Sequence, residues 1–199
     1  MLNRTERQKA LRELGYYKGE INGKWNTETK NAVKNFQDKN MPKRYRDGGK
    51  YTSEVDKWIV SALRVKEYAP HFELSDFLCK CKGKYCSGLP EYLDSQLLKN
   101  LETIRRYFKK PIIVSCGERC HKWNMTRNGS IAKSKHQYGK AVDFYVQGIT
   151  DTVEGRKKVM QKARTLPRFN YTYGYIPGSK SPRERSATYM GNCVHMDVK

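Results

Sequence analysis

Two of the four histidines lie beside aspartates in two short segments late in the chain, Ser134-Lys-His136-Gln-Tyr-Gly139-Lys-Ala141-Val-Asp143 and Val194-His195-Met-Asp197-Val198. In Ala141–Val146 the residues Val142, Phe144 and Val146 alternate, so a strand there would face them one way and Asp143 the other. In the second segment Val194, Met196 and Val198 alternate in the same manner, which puts His195 and Asp197 together on the opposite face. His136 falls in the turn before the first strand, kept near Asp143 by Gly139. A carboxylate on an apolar strand needs a cationic or metal partner. His136, Asp143 and His195 form the donor set of a zinc centre with three protein ligands and a fourth position open to water. Such a centre lowers the pKa of its water to about 7, which is hydrolytic chemistry. Asp197 could replace His195 as the third ligand, or orient it.

Hydrolysis at such a centre also needs a group to take a proton from water and return it to the leaving amine. Asp197 is the best-placed acid, and Glu118 is the weaker candidate. Arg119 is suited to clamp a substrate carboxylate bidentately, its alternative being a structural ion pair. Ser115 is assigned to the same pocket. His71 and His121 show no partner in sequence and are read as surface residues.

The elements that carry these residues follow from periodicity and turn signals. Residues 1–66 read as a three-helix module. Arg7–Leu14 is a helix ending at Gly15, Asn26 or Thr27 caps a second with Ala32, Val33 and Phe36 inward, and Ser53-x-x-Asp56 suggests a capping box for a third. Residues 67–71 read as a linker closed by Pro70, and 72–199 as an α+β domain with a central antiparallel sheet. In that domain Leu89–Phe108 is expected to be one long helix with Pro90 in its first turn. Pro111–Ser115 is a buried strand, Thr150–Thr165 a helix and Pro177–Ser186 an exposed basic loop.

The pattern Ser-x-His-x-x-Gly-x-Ala-x-Asp followed by His-x-Asp resembles the zinc D-alanyl-D-alanine carboxypeptidase family, which shares the hedgehog-type fold. Phe72-Glu-Leu-Ser-Asp-Phe77 resembles the opening of that domain, and Ile112-Ile-Val-Ser115 with Arg119 and Asn124 resembles its Ser-Gly-x-Arg…Asn segment. Two departures stand out. Cys116 precedes Gly117 where the family has serine, and one residue is inserted between Asn124 and His136. Several relatives also carry a general base three residues before the last histidine, where this chain has Asn192. Residues 1–66 are similar to the type 1 peptidoglycan-binding domain through Leu14-Gly15-Tyr16-Tyr17, Gly19-x-Ile21-Asn22-Gly23, Trp25 and Phe36-Gln37. Tyr16 and Trp25 flank its loop and could stack on sugar rings. The resemblance implies an endolysin-like metallopeptidase. It would be a monomer that uses Zn2+ to cut D-Ala–D-Ala-type or L-Ala–D-Glu-type amide bonds of bacterial cell-wall peptidoglycan.

Composition is consistent with that reading. The formal charge of +20 is spread evenly, with 16 Lys and Arg against 8 Asp and Glu in residues 1–66 and 24 against 12 in residues 67–199. Such a field concentrates polyanions; an anionic wall satisfies it as well as nucleic acid does. A mean hydropathy of −0.89, with no run near the ~20 apolar residues of a membrane span, argues against a membrane partner. The opening Met-Leu-Asn-Arg-Thr-Glu-Arg lacks the apolar core of an export signal, so the expected location is the host bacterial cytoplasm until release to the wall at lysis. Six cysteines leave two readings open: a second metal site from Cys79, Cys81, Cys86 and Cys120, or disulfides, favoured for a protein that ends outside a cell, with Cys116 and Cys193 able to pair. Two other functions compete: a wall-binding protein whose hydrolase domain is inactive, suggested by Asn192, and a basic nucleic-acid binder with a cysteine zinc knuckle.

Overall fold

In a computed structural model, which describes residues 2–127 and 130–199, seven helices and four strands are present among the described residues. The first three helices are α1 (Arg4–Glu13), α2 (Thr27–Asn40) and α3 (Ser53–Tyr68). Each begins at a side chain that accepts from an otherwise unpaired backbone N–H. Asn3 caps α1 in a full capping box with Glu6, and Asn26 caps α2 through Thr29 N–H. The cap of α3 is Thr52, which accepts from Val55, so the cap falls one residue before Ser53 and the expected box with Asp56 does not form. Asp56 is instead buried and accepts from Leu2 N–H and the Tyr92 hydroxyl. The expected linker at 67–71 starts as the last turn of α3, and Ala69 is fully buried.

The α+β part consists of α4 (Ser95–Phe108), β1 (Ile112–Cys116), α5 (His121–Met125), β2 (Ala141–Val146), α6 (Val153–Arg164), β3 (Phe169–Gly174), α7 (Pro182–Ser186) and β4 (Val194–Val198). The helix expected from Leu89 begins six residues later, where Asp94 accepts from Gln96 and Leu97 N–H. Leu89 and Leu93 are nonetheless buried, in irregular chain. The segment 177–186, expected as a loop, contains the short helix α7, capped by Ser181. No described helix is long and apolar enough to cross a membrane.

The sheet is antiparallel with strand order β1-β2-β4-β3. Val142, Phe144, Val146, Val194, Met196 and Val198 are all fully buried on the face that meets α4 and α6. They join one continuous apolar core that extends through Phe72, Phe77 and Trp58 to Leu11, Val33 and Phe36 of the first three helices. The opposite face carries the ionisable residues, because Asp143 pairs in register with His195, and His195 with Tyr173. On β1 strict alternation would send Cys116 to the core face with Ile112 and Val114. A bulge between Val114 and Cys116 shifts the register by one and sets Cys116 opposite Asp143.

Candidate metal centre

His136 lies in a short 3₁₀ turn, Lys135–Tyr138, that ends at Gly139 with φ 63°. A side chain at Gly139 would be strained by that φ, and its Cβ would also fall 2.3 Å from the Tyr92 carbonyl oxygen. The turn brings the His136 ring, 1 % exposed, against two partners. Nδ1 is 2.6 Å from the Gly117 carbonyl oxygen, and Nε2 is 3.2 Å from Asp143 Oδ1. A carbonyl only accepts, so Nδ1 carries the proton. Burial lowers the His136 pKa, which favours the neutral ring. Its Nε2 lone pair then faces a carboxylate oxygen, an arrangement of two acceptors that calls for a cation between them.

The same oxygen faces a second imidazole. His195 Nδ1 is 2.7 Å from Asp143 Oδ1, while Nε2 is 3.0 Å from Asp197 Oδ2. Burial would lower the His195 pKa, but hydrogen bonds to Asp143 and Asp197 raise it on balance. Burial would push the Asp143 carboxyl up, yet His136 and His195 beside it hold it well below the usual carboxylate range. The other Asp143 oxygen accepts from Arg119 at 2.7 Å. Arg119 also donates to Ser130 Oγ at 3.0 Å and, through Nε, to Cys116 Sγ at 3.1 Å. Its three nitrogens are thus all engaged, and the guanidinium is fixed in the wall of the site.

The His136 and His195 rings therefore converge on one carboxylate oxygen. Two imidazoles and an anionic oxygen are donors suited to a divalent cation, but His195 is not among the residues whose ligand atoms lie mutually within 4.8 Å. The ligand atoms of Cys116, His136 and Asp143 lie within 4.8 Å of one another, which brings a soft donor to the edge of the same centre. Burial and the nearby Asp143 charge raise the Cys116 pKa, keeping it a thiol. Its presence follows from the bulge on β1 and leaves no mark in the spacing of the sequence.

Other expected residues divide by position. Asp197 is buried, accepts from Asn170 Nδ2 at 2.6 Å, and lines a cavity of about 450 Å³ with His136, His195, Arg119, Tyr173 and Arg183. Ser115 and Cys116 line an adjoining cavity of about 220 Å³ that shares Arg119 and Tyr173. Ser115 Oγ donates to the Asp143 carbonyl and accepts from Cys193 Sγ at 3.2 Å. All six cysteines are free thiols, so Cys116 and Cys193 do not pair. Glu118 points away from the centre: one oxygen accepts from Glu91 N–H and the other is buried without a hydrogen-bond partner among the described residues. Burial raises its pKa well above the ordinary carboxyl value. Asn192 is tied to Asp151 and Arg156. Asn124 is buried and donates to the Ile131 carbonyl.

His71 and His121 are exposed as expected, but each has a partner, Glu102 at 2.7 Å and Gln137 at 3.0 Å. Tyr16 packs edge-on against Phe36 and its hydroxyl accepts from Asn40. Trp25 packs edge-on against Tyr51 with Arg7 nearby. Both are half-buried on the helical module, and neither lines the cavities beside His136 and Asp143. Tyr173 and Arg183 line the main cavity without having been expected there: the Tyr173 ring lies 4.9 Å from that of His195, and Arg183 donates to its hydroxyl at 2.8 Å.

Comparison with protein families gives two matches. Residues 70–176 match the family described as "Peptidase M15", and residues 2–43 match the family described as "Putative peptidoglycan binding domain". No curated protein matches the chain.

Proposed function

The chain belongs to the peptidase M15 family, and we propose that it is an endolysin-type zinc peptidase cutting amide bonds of peptidoglycan stem peptides or cross-links. The observation that carries this reading is the convergence of His136 Nε2 and His195 Nδ1 on Asp143 Oδ1 at one face of the sheet, where His136 and His195 line one cavity and Asp143 the adjoining one. These three residues would hold the metal. When bound, zinc supplies a water that is acidic enough to ionise near neutral pH and polarises the scissile carbonyl.

The protein's own groups do the rest. Gly117 holds His136 in the Nδ1–H tautomer, so that its Nε2 lone pair faces the centre, and Asp197 accepts from His195 Nε2, so that a bound metal would take His195 through Nδ1. Arg119 neutralises the second Asp143 oxygen and presents a permanent positive charge to both cavities, suited to a peptide carboxylate or a carbonyl oxygen gaining charge. Among the described residues Asp197 is the one carboxylate lining the larger cavity, which makes it a candidate to hold a proton there. The peptidoglycan-binding match at residues 2–43 supports wall material as substrate, and the charge of +20 supports attraction to an anionic wall. A phage lysis role, with the protein held in the host cytoplasm until the membrane is breached, agrees with this pairing of wall-binding and peptidase segments.

The test is mass spectrometry of fragments released from purified walls, with zinc and after chelation. New amine termini that depend on zinc are expected, and the fragment masses name the bond. Glycan cleavage alone, or full activity after chelation, would refute the reading. The amide at Asn192, in place of an acid, favours a second reading in which the centre binds wall peptides without cutting them. Zinc-dependent binding with no released termini would establish that instead. Lysis of expressing cells only after their membrane is opened would support the endolysin role.

A further inference from the structure

A second group of metal-type donors lies outside the site described so far. The segment Cys79-Lys-Cys81-Lys-Gly-Lys-Tyr-Cys86 forms an irregular loop between Phe77 and Leu89, and Cys120 comes from the turn that starts α5. The four Sγ atoms all lie within 4.8 Å of one another, and Cys81 and Cys86 approach to 3.5 Å. A tetrahedral zinc with Zn–S of about 2.3 Å has sulfur–sulfur edges of about 3.8 Å. A disulfide needs about 2.05 Å. The observed spread is thus that of four sulfurs around one ion.

The backbone is arranged for the same purpose. Lys82 and Gly83 both take left-handed conformations, φ 52° and 81°, which folds the loop so that Cys81 and Cys86 meet. The reversal is closed by Lys84 N–H donating to the Cys81 carbonyl at 2.9 Å. Cys120 N–H donates to Cys79 Sγ at 3.3 Å, and Gly88 N–H to Cys86 Sγ at 3.4 Å, and such bonds favour the thiolate form. Cys79, Cys81 and Cys120 are buried in a small cluster of their own, flanked by Tyr85 and Trp123 and separate from the main core. Between its buried ends Phe77 and Leu89 the loop carries no regular structure, and residues 79–86 contribute nothing to the main core. Lys80, Lys82 and Lys84 are exposed around it, placing positive charge beside what would be a doubly negative tetrathiolate–zinc group.

We propose that Cys79, Cys81, Cys86 and Cys120 bind a structural zinc ion that fastens the 77–88 loop to the Gly117–Cys120 turn. The site is closed, with four protein ligands and no position for water, so its role is to hold structure. Its reach extends to the chemistry. Cys120 adjoins Arg119, whose backbone N–H donates to the His136 carbonyl and whose guanidinium holds Asp143. Glu118 N–H in the same turn donates to the Phe77 carbonyl at 2.8 Å. The proposal does not depend on the catalytic reading of the His136–Asp143–His195 centre.

The test uses the full chain purified under reducing conditions. In a His136→Ala/Asp143→Ala double variant, which keeps all four cysteines, one equivalent of zinc should remain. Replacing it with cobalt should give intense thiolate-to-cobalt charge-transfer absorption in the near ultraviolet. The four thiols should react with a thiol reagent only after chelation, many-fold faster than before. A Cys81→Ser/Cys86→Ser variant should lose that equivalent, while metal bound at the other centre is retained. Zinc-free protein in the first variant, cobalt bound without thiolate absorption, or an intact mass showing these cysteines oxidised in pairs would each overturn the proposal.

Discussion

Replacing Asp197 by asparagine separates two roles that its position combines. Its Oδ2 accepts from His195 Nε2 at 3.0 Å and its Oδ1 accepts from Asn170 at 2.6 Å, so one oxygen fixes the imidazole while the other is held by Asn170. The asparagine has nearly the same shape but only one acceptor oxygen for these two donors, and its amide NH2 meets one of them donor to donor. His195 then loses the partner that sets its tautomer, and Nδ1 is no longer reliably the unprotonated nitrogen facing Asp143. Loss of such an outer hydrogen bond weakens metal binding by about 10–100-fold, or roughly 1.4–2.7 kcal/mol. We therefore expect the zinc dissociation constant of Asp197→Asn, measured by competition with a chromophoric chelator, to rise within that range. At saturating zinc, turnover on purified walls should recover to within about tenfold of the parent. Were Asp197 mainly the proton acceptor, affinity would be unchanged and turnover would fall by about 10²–10⁴-fold at any zinc concentration. That second pattern would refute the positioning argument.

Gly117→Ala should destabilise the protein strongly, because the new Cβ would sit 2.4 Å from the Phe77 carbonyl oxygen, which is backbone and cannot rotate away. A loss of about 1–3 kcal/mol by denaturant titration is expected; an unchanged midpoint would mean that the Phe77–Gly117 approach is looser than described. Glu118→Gln should stabilise the protein, and more so at neutral than at acidic pH. Its folded-state pKa is raised by burial, so as pH rises above the unfolded value the unfolded chain releases a proton that the native state retains, and stability falls. Thermal melts of both proteins from pH 4 to 8 should diverge upward in pH, and parallel curves would count against a strained buried carboxyl. Wall lysis should decline as salt rises through the range where the Debye length shrinks from about 10 Å to 3 Å, since the charge of +20 is then screened. A salt-independent rate would remove electrostatic attraction from the account.

Much of the candidate site's geometry was legible because its strands alternate so cleanly. Val142, Phe144 and Val146 against Asp143, and Val194, Met196 and Val198 against His195 and Asp197, define two faces before any coordinates exist, and the register of β2 with β4 places Asp143 beside His195. β3 went unread because Phe169-Asn-Tyr-Thr-Tyr-Gly mixes polar residues into an edge strand, whose alternation is weak. The start of α4 was misplaced because Leu89 and Leu93 are buried at helix-like spacing, although Asp94 is the residue that caps. Cys116 could not be placed at the centre, since its direction depends on a one-residue bulge that pattern alone does not reveal. Arg119 was identified by its chemistry, but its pairing with Asp143 is a matter of tertiary geometry. The two neighbouring hydroxyls Thr52 and Ser53 compete equally on paper for the cap of α3, and only backbone conformation separates them.

The strand order β1-β2-β4-β3 also bears on how the molecule comes into being. β4 is the last of the four in sequence yet lies inside the sheet, so β2 waits for a partner about fifty positions downstream before half of its ladder can close. Pairings this distant form late, because loop entropy is lost before any contact repays it. Asp143 and His195 therefore stay apart until the insertion of β4 that completes the sheet. On this logic the candidate site is complete only when almost the whole sheet has formed.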